Sequence, residues 1–436
     1  MRVGMAARAL CIAACGTAAS AADGAADSVE TLSIEETVHL TVSSHPVLLQ
    51  AAIDVGSAEL RVKQARSSRA PQVDAGGLTN VGLTGSANLL GLHGLASSPE
   101  PQNGAFSVNL FQDLLDFRRT KHESEARRAE VEHFEETLRA EKSRLILQAR
   151  KAFLEALAAM RQVEAAEPAV AEKALAQRAA LARNRSGLAS KRDVSEAETD
   201  LAQARLRRAD AHEKLGRALA RLNSGMGREP NREYVLQEPP VEPAAPDPIG
   251  VLVSDALEWR PELRALDARI RAAQHWVERA QREKLPRIMG MFSGGWTRFS
   301  ELTLGRLLFG GFGIQLPLFT GGRIEATIEE TRLALEKTKA AREVLVRSIP
   351  LEVSEAHAGL SGALEAVRAG EQAYWHASGV ERQERVRKKH GLADGLDLAR
   401  ARRALAEAGS ARARARYRYK VAEAELEFAT GRAVAD

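Results

Sequence analysis

Few side chains in this sequence stand at spacings that chemistry requires. One stretch calls for a covalent step: Ile12-Ala13-Ala14-Cys15, a short apolar run ending in small residues and a cysteine, behind Arg2 and Arg8. That is the pattern of an export signal whose cysteine is acylated after cleavage. A second reading cleaves after Ala19-Ser20-Ala21 by the ordinary small-x-small rule. In both readings residues 1–22 are the export signal, and both cysteines lie within it. The mature chain is therefore expected to have no disulfide and no thiol chemistry except a thioether at Cys15.

The remaining candidates are weak. The ten histidines are scattered, and no two sit at i, i+4 beside a carboxylate as a zinc protease requires. Gly310-Gly311-x-Gly313 leads into a strand-like run with no phosphate-binding Lys after it. No Ser/His/Asp or paired-carboxylate set emerges, so no enzyme, no cofactor and no metal site is expected. The Arg-rich run from Arg400 to Arg418 is interleaved with Ala and Glu at helical spacing, which marks a solvated helix face and not nucleic-acid binding. Two acids stand out only because their setting recurs. Asp193 follows Gly187-Leu188-Ala189, and Asp397 follows Gly391-Leu392-Ala393. Glycine supplies the positive φ of a turn, and an Asp suits the first turn of the helix behind it.

The elements that place these residues are themselves repeated. His45-Pro46-Val47-Leu48 returns as Arg260-Pro261-Glu262-Leu263, 215 positions later. The Gly-Leu-Ala turns are separated by 204, a shift that also maps Leu201 onto Leu405, Leu222 onto Leu426 and Gly227-Arg228 onto Gly431-Arg432. A long duplication makes each half a structural unit that needs neighbours to bury its faces. The first repeat spans 33–228, residues 229–248 hold six prolines and read as an extended linker, and the second repeat spans 249–432.

Each repeat follows one plan. A helix occupies 33–69, interrupted near Pro46, and two strands lie within 73–112, with Phe106, Val108 and Leu110 on one face. A Gly/Ser/Pro loop near 86–104 joins them. A very long, charged, Ala-rich helix over 120–185 turns at Gly187 into a second helix over 189–224. In the second repeat a helix runs over 250–284, strands lie near 288–297 and 307–316, a long helix runs over 324–389 with Pro350 expected to kink it, and a last helix ends near Gly431. With charged residues at 28% and aromatics at 4%, the composition is that of long helices and coiled coils. The net charge of +4 is too small for the length to argue for a polyanion.

No stretch after the signal approaches the roughly 18–20 apolar residues of a spanning helix. Four strands cannot close a barrel, since membrane barrels need at least eight, and open edges cannot face lipid. If the strands span a membrane, several chains must pool them, and three chains would supply twelve. The competing reading is a soluble periplasmic coiled-coil adaptor or scaffold, with the Gly-rich pieces as loops.

Taken together, the sequence resembles the TolC-like outer-membrane efflux protein family. The resemblance rests on the two x-Pro-x-Leu motifs, on Leu316-Pro317-Leu318-Phe319-Thr320-Gly321-Gly322-Arg323 with its degenerate partner Asp113–Arg119, and on the turns at 187–193 and 391–397. It covers about residues 33–432. It implies an α+β membrane protein, a homotrimer with a twelve-stranded barrel in the outer-membrane lipid and a tunnel of antiparallel coiled-coil helices in the periplasm. It further implies a periplasmic adaptor and an inner-membrane pump as partners. Gly187, Leu188, Gly391 and Leu392 become adaptor-contacting tips, and Asp193 and Asp397 become candidates for a pore constriction. A familiar gate pattern has a second acid three positions after the Asp397 position, where this chain has Arg400. A mixed Asp/Arg ring would salt-bridge or bind anions instead.

Overall fold

In the computed structural model of the chain, residues 30–80, 103–230, 232, 234–298 and 307–434 are described. The export signal with Cys15 and most of the loop near 86–104 lie outside them.

Helix α1 (Ile34–Ser44) opens on a reciprocal cap: the Ser33 hydroxyl accepts from the Glu36 amide and the Glu36 carboxylate accepts from the Ser33 amide. It stops at His45 because the next residue is Pro46, which cannot donate to the helix and keeps the residue before it extended. The same proline starts α2 (Pro46–Ser67), with His45 Nδ1 accepting from the Val47 amide at 3.3 Å. The second repeat uses the same device at Arg260-Pro261. The single helix expected over 250–284 is therefore two, α5 (Ile249–Trp259) and α6 (Pro261–Gln281), followed by a 3₁₀ turn at Arg282–Lys284. The rule that split the first half at Pro46 applies equally at Pro261.

Between these pairs come α3 (Arg119–Arg185) and α4 (Lys191–Gly225); after them come α7 (Arg323–Lys389) and α8 (Gly395–Ala429). α3 and α7 have 67 residues each, α4 and α8 have 35 each. At 1.5 Å per residue the long ones reach about 100 Å. Pro168 lies inside α3 and Pro350 inside α7, and both helices are continuous through them.

The backbone repeats even where the side chains do not. Gly187 and Gly391 both have φ 72°, and Gly227 (68°) answers Gly431 (76°). Gly321 and Gly322 (60° and 81°) start α7, whereas the matching positions before α3 are Phe117 and Arg118 (48° and 69°), the positive-φ residues other than glycine among the described residues. In both halves the terminal glycine abuts the break at the proline. A side chain on Gly431 would meet the Arg260 amide nitrogen at 2.8 Å, and one on Gly227 would meet Ser44 Oγ at 3.4 Å.

Strands β2 (Gln72–Asn80), β3 (Asn103–Leu115), β5 (Arg287–Arg298) and β6 (Leu307–Gln315) form one antiparallel sheet in that order, so the two hairpins join through β3 and β5. Two short strands went unforeseen: β1 (Glu30–Leu32) pairs in parallel with β4 (Tyr234–Leu236). Three residues are too few to show a period. The proline-rich segment after β4 lies against the helices. Glu238 accepts from Arg161 and from the Tyr417 hydroxyl (2.6 Å), and the Ala244 amide donates to the Tyr419 hydroxyl (2.9 Å).

The helices form a layer whose members change along its length. Toward the sheet, α3 packs on α2 and α6, and α7 on α6; toward the tips, α3 packs on α4 and α8, and α7 on α8. The two long helices therefore span the layer and the shorter ones alternate beside them. Two cores sit at mid-height. One is built from Leu252, Leu263, Ile349, Val353, Leu360 and Tyr419, the other from Leu32, Phe153, Leu157, Leu222, Tyr234 and Tyr417. Much of what lies between is alanine, whose small side chain allows close helix approach. Among the described residues no helix is long and apolar enough to cross a membrane.

Candidate functional site at the hairpin tips

Both tips are closed by the same hydrogen bonds. In the first, Leu188 N donates to Arg183 O (2.8 Å) and Gly187 N to Asn184 O (3.0 Å); in the second, Leu392 N donates to Arg387 O (2.9 Å) and Gly391 N to Lys388 O (3.1 Å). This is the Schellman closure, and it needs a residue with positive φ where each glycine stands. It leaves Leu188 and Leu392 in solvent, 80% and 70% exposed, two apolar side chains at the outermost turns.

The helices that leave the tips are capped differently, and the difference decides what each acid is free to do. Ser190 and Asp193 cap each other: Ser190 N donates to Asp193 Oδ2 (2.8 Å) and Asp193 N to Ser190 Oγ (3.2 Å). The Ser190 amide, then its hydroxyl, hold the Asp193 carboxyl below the usual carboxylate range. In the second hairpin Asp394 occupies the cap and accepts from the Leu396 and Asp397 amides at 2.7 and 2.9 Å. The Asp397 amide is the chief cause of Asp394's lowered carboxyl, with the nearby Arg400 and Arg183 charges contributing. Asp397 is thus released from capping, and its carboxylate lies 3.6 Å from Arg400. The sequence-expected acids are placed apart in role: Asp193 is spent on its own helix end, Asp397 faces Arg400.

Sequence reasoning missed two acids higher in the hairpins. Glu381 on α7 and Glu172 on α3 are 2% and 3% exposed. Glu381 accepts from Arg385 (2.7 Å) and lies 3.6 Å from Arg402 of α8; Glu172 lies 3.6 Å from Arg403 of α8. Consecutive arginines on α8 therefore reach buried acids on the helices to either side. Glu172 Oε2 and Arg403 Nε make no hydrogen bond, so that link is electrostatic alone. In sequence both acids sit in runs of mixed charge that read as a wet face, and only the packing of α8 between α3 and α7 buries them.

The sheet at the other end divides by face. Phe106, Val108, Leu110 and Leu114 of β3 share a side with Phe292 and Trp296 of β5 and with Leu308, Phe312 and Ile314 of β6. Phe312 is 82% exposed and Leu308 74%. Glycines stand opposite the large residues, Gly310 across from Phe292 and Gly290 across from Phe312. The opposite side is mixed: Phe111, Met289, Met291 and Phe309 stand there beside a hydrogen-bonded polar group, in which Asn109 Nδ2 donates to Asp74 (2.7 Å), Ser293 Oγ to Asn109 (2.6 Å), and Arg287 pairs with Asp113.

Comparison with known proteins agrees with this architecture. The model of the family described as "Outer membrane efflux protein" matches residues 37–228 and 252–432. Protein CyaE of Bordetella pertussis is 26% identical over 349 residues, 78% of this chain and 71% of that protein. Two solved structures share the fold: the CmeC outer membrane channel of Campylobacter jejuni (TM-score 0.74, 16% identity, 91% of this chain and 85% of that one) and the outer membrane protein VceC of Vibrio cholerae (TM-score 0.72, 19% identity, 91% and 96%). With both repeats matched and the same fold in solved channels, the chain belongs to the outer membrane efflux protein family, and is a protein of the cell outer membrane whose helices stand in the periplasm.

Proposed function

We propose that three copies of the chain form a passive exit duct through the outer membrane, fed by an inner-membrane pump through a periplasmic adaptor. The carrying observation is the sheet, which has one exposed apolar face, a second face that carries the hydrogen-bonded polar groups, and outer edges on β2 and β6 that pair with no other described strand. Alternation of apolar-out and polar-in is the signature of a membrane barrel. Unpaired edges cannot stand in hydrocarbon, so four strands must be continued by another chain's. β6 and β2 run in opposite directions in the meander, so β2 of a second copy extends it antiparallel. A head-to-tail contact of this kind closes into a ring, and three copies bring twelve strands.

The helix layer supports the same reading. α2 leaves Leu49, Ile53 and Leu60 more than half exposed along one edge, and α7 leaves Leu333, Val344 and Leu351 exposed along the other. A neighbouring copy would cover both stripes. The tips at Gly187-Leu188 and Gly391-Leu392 become the adaptor-contacting ends, with the two leucines as apolar anchors. Asp397 and Arg400, tripled, form the entrance constriction, and Asp193 serves there chiefly as a cap. Opening loosens the α7–α8 hairpin from α3, a two-state change the adaptor biases, and the Arg403–Glu172 contact is the link that has to give. Cargo ranges over small molecules, ions or proteins, since a passive duct leaves selection to its pump.

The test is light scattering and planar-bilayer conductance on one detergent-extracted sample. A trimer with small conductance whose ion selectivity shifts in Asp397→Ala, and not in Asp193→Ala, is expected. A water-soluble monomer without conductance would sink the proposal and return the chain to a periplasmic scaffold.

A further inference from the structure

Where α3 and α6 pack just below the sheet, each helix carries the same short sequence, His-x-x-Glu: His122 and Glu125 on α3, His275 and Glu278 on α6. Spacing of i, i+3 puts both side chains of each pair on one helix face, and here the two faces meet. His122 Nδ1 lies 2.9 Å from a Glu278 oxygen and 4.0 Å from Glu125 Oε2, and His275 Nδ1 lies 3.6 Å from the same Glu125 oxygen. One ligand atom from each of His122, His275 and Glu278 falls within 4.8 Å of the others. We propose that these four residues form a divalent-cation site of the zinc class that ties α3 to α6 at the root of the sheet.

Three observations carry it. The donor set is imidazole and carboxylate, which suits Zn²⁺. The spacing is close, because ligand bonds of about 2.0–2.1 Å in a tetrahedron separate ligand atoms by roughly 3.3–3.5 Å, against contacts here of 2.9, 3.6 and 4.0 Å within a 4.8 Å cluster. The third is an unmet polar demand. His122 is 8% exposed; its Nε2 makes no hydrogen bond, its Nδ1 meets the Glu278 carboxylate at 2.9 Å outside hydrogen-bond geometry, and His275 Nδ1 makes none. Buried polar atoms without partners are rare, and a cation at the centre would take one nitrogen from each ring. Lys121 approaches Glu125 through its other oxygen, Oε1, at 3.7 Å, leaving Oε2 to the site. The bland alternative is a tilted packing of the two rings with centroids 5.8 Å apart and His122 set against Glu278, which leaves His122 Nε2 and His275 Nδ1 without a partner.

The site stands apart from the duct reading, and its test does not depend on conductance. The full chain in detergent, stripped with EDTA, is titrated with Zn²⁺ by calorimetry, with metal content by mass spectrometry and ligand identity by X-ray absorption. One Zn²⁺ per chain with two imidazole ligands is expected. His275→Gln, a partly exposed position that should leave the fold intact, should weaken binding more than about 100-fold, beyond the 10–100-fold typical of an outer-shell partner. No binding by the wild type, or unchanged affinity in both His275→Gln and Glu278→Gln, would overturn the proposal. His122→Gln serves as a further check if it folds.

Discussion

The two repeats share a backbone and differ in what hangs on it. Each breaks its first helix at a proline, presses the terminal glycine of its last helix against that break, and turns its hairpin with a glycine at φ 72°. At equivalent points the first repeat carries groups that cap their own helix ends and the second carries charge set against another side chain. His45 caps its own helix, while Arg260, 3% exposed, reaches Glu352 on α7 at 2.6 Å. Ser190 and Asp193 satisfy each other, while Asp394 caps alone and frees Asp397 for Arg400. The geometry is the same in both repeats, and at these two points the second carries the ion pair. Function that depends on moving helices should therefore be more sensitive to substitution in the second half.

The sharpest break of this comparison is at the terminal glycines. In Gly431→Ala the positive φ costs roughly 1–2 kcal/mol, and overlap with the Trp259–Arg260 backbone adds about 1–3 kcal/mol of overpacking. Gly227→Ala should cost the φ term alone, because its nearest neighbour is a movable Ser44 hydroxyl. Thermal unfolding in detergent should rank Gly431→Ala well below Gly227→Ala. Equal losses would remove the asymmetry.

Next is the buried guanidinium. Glu352→Ala strands Arg260 and should cost roughly 2–3 kcal/mol, below the 3–5 of a fully buried pair because the Glu352 side chain is partly hydrated. His45→Ala removes only a cap, about 1 kcal/mol. The Glu352 carboxyl feels burial most, which raises it, but hydrogen bonds from Arg260 and Ser348 with the Arg260 charge bring it below its ordinary 4.5. A lowered carboxylate contributes stability that is whole above pH 4.5 and fades as pH falls through the folded value. An acid titration of unfolding should show Glu352→Gln flattened in that window relative to wild type.

Smaller effects sharpen the tips and the junction. Asp193→Ala should lower the melting temperature slightly as a lost cap without altering conductance, the reverse of Asp397→Ala. Arg118→Gly, at φ 69° where the second repeat has Gly322, should stabilise by about 0.5 kcal/mol, the relief of a left-handed residue less the entropy a glycine adds to the unfolded chain. A melting temperature that falls instead would mean that the Arg118 side chain is needed at the junction.

The element plan was legible because it rests on local rules. Pro46 ended a helix, the positive-φ glycines turned hairpins, and Phe106-x-Val108-x-Leu110 alternated. The same locality explains the misses. The break at Pro261 was a rule left unapplied, and β1 and β4 were too short to carry a period. Glu172, Glu381 and the His122–His275 meeting were invisible because their partners lie on helices far apart in sequence.

What the sequence determined by itself is thus the backbone: helix lengths, breaks, turns and the doubling, all set by φ preferences and periodicity within a few residues. What only the tertiary structure decided is which charges leave water. Glu381 looks like any other charged residue on an Ala-rich helix, and Arg260 like any residue before a proline, until α8 is laid between α3 and α7, and α6 beside α7. Burial is a property of neighbours, and periodicity within one helix does not say which neighbour will cover a given face.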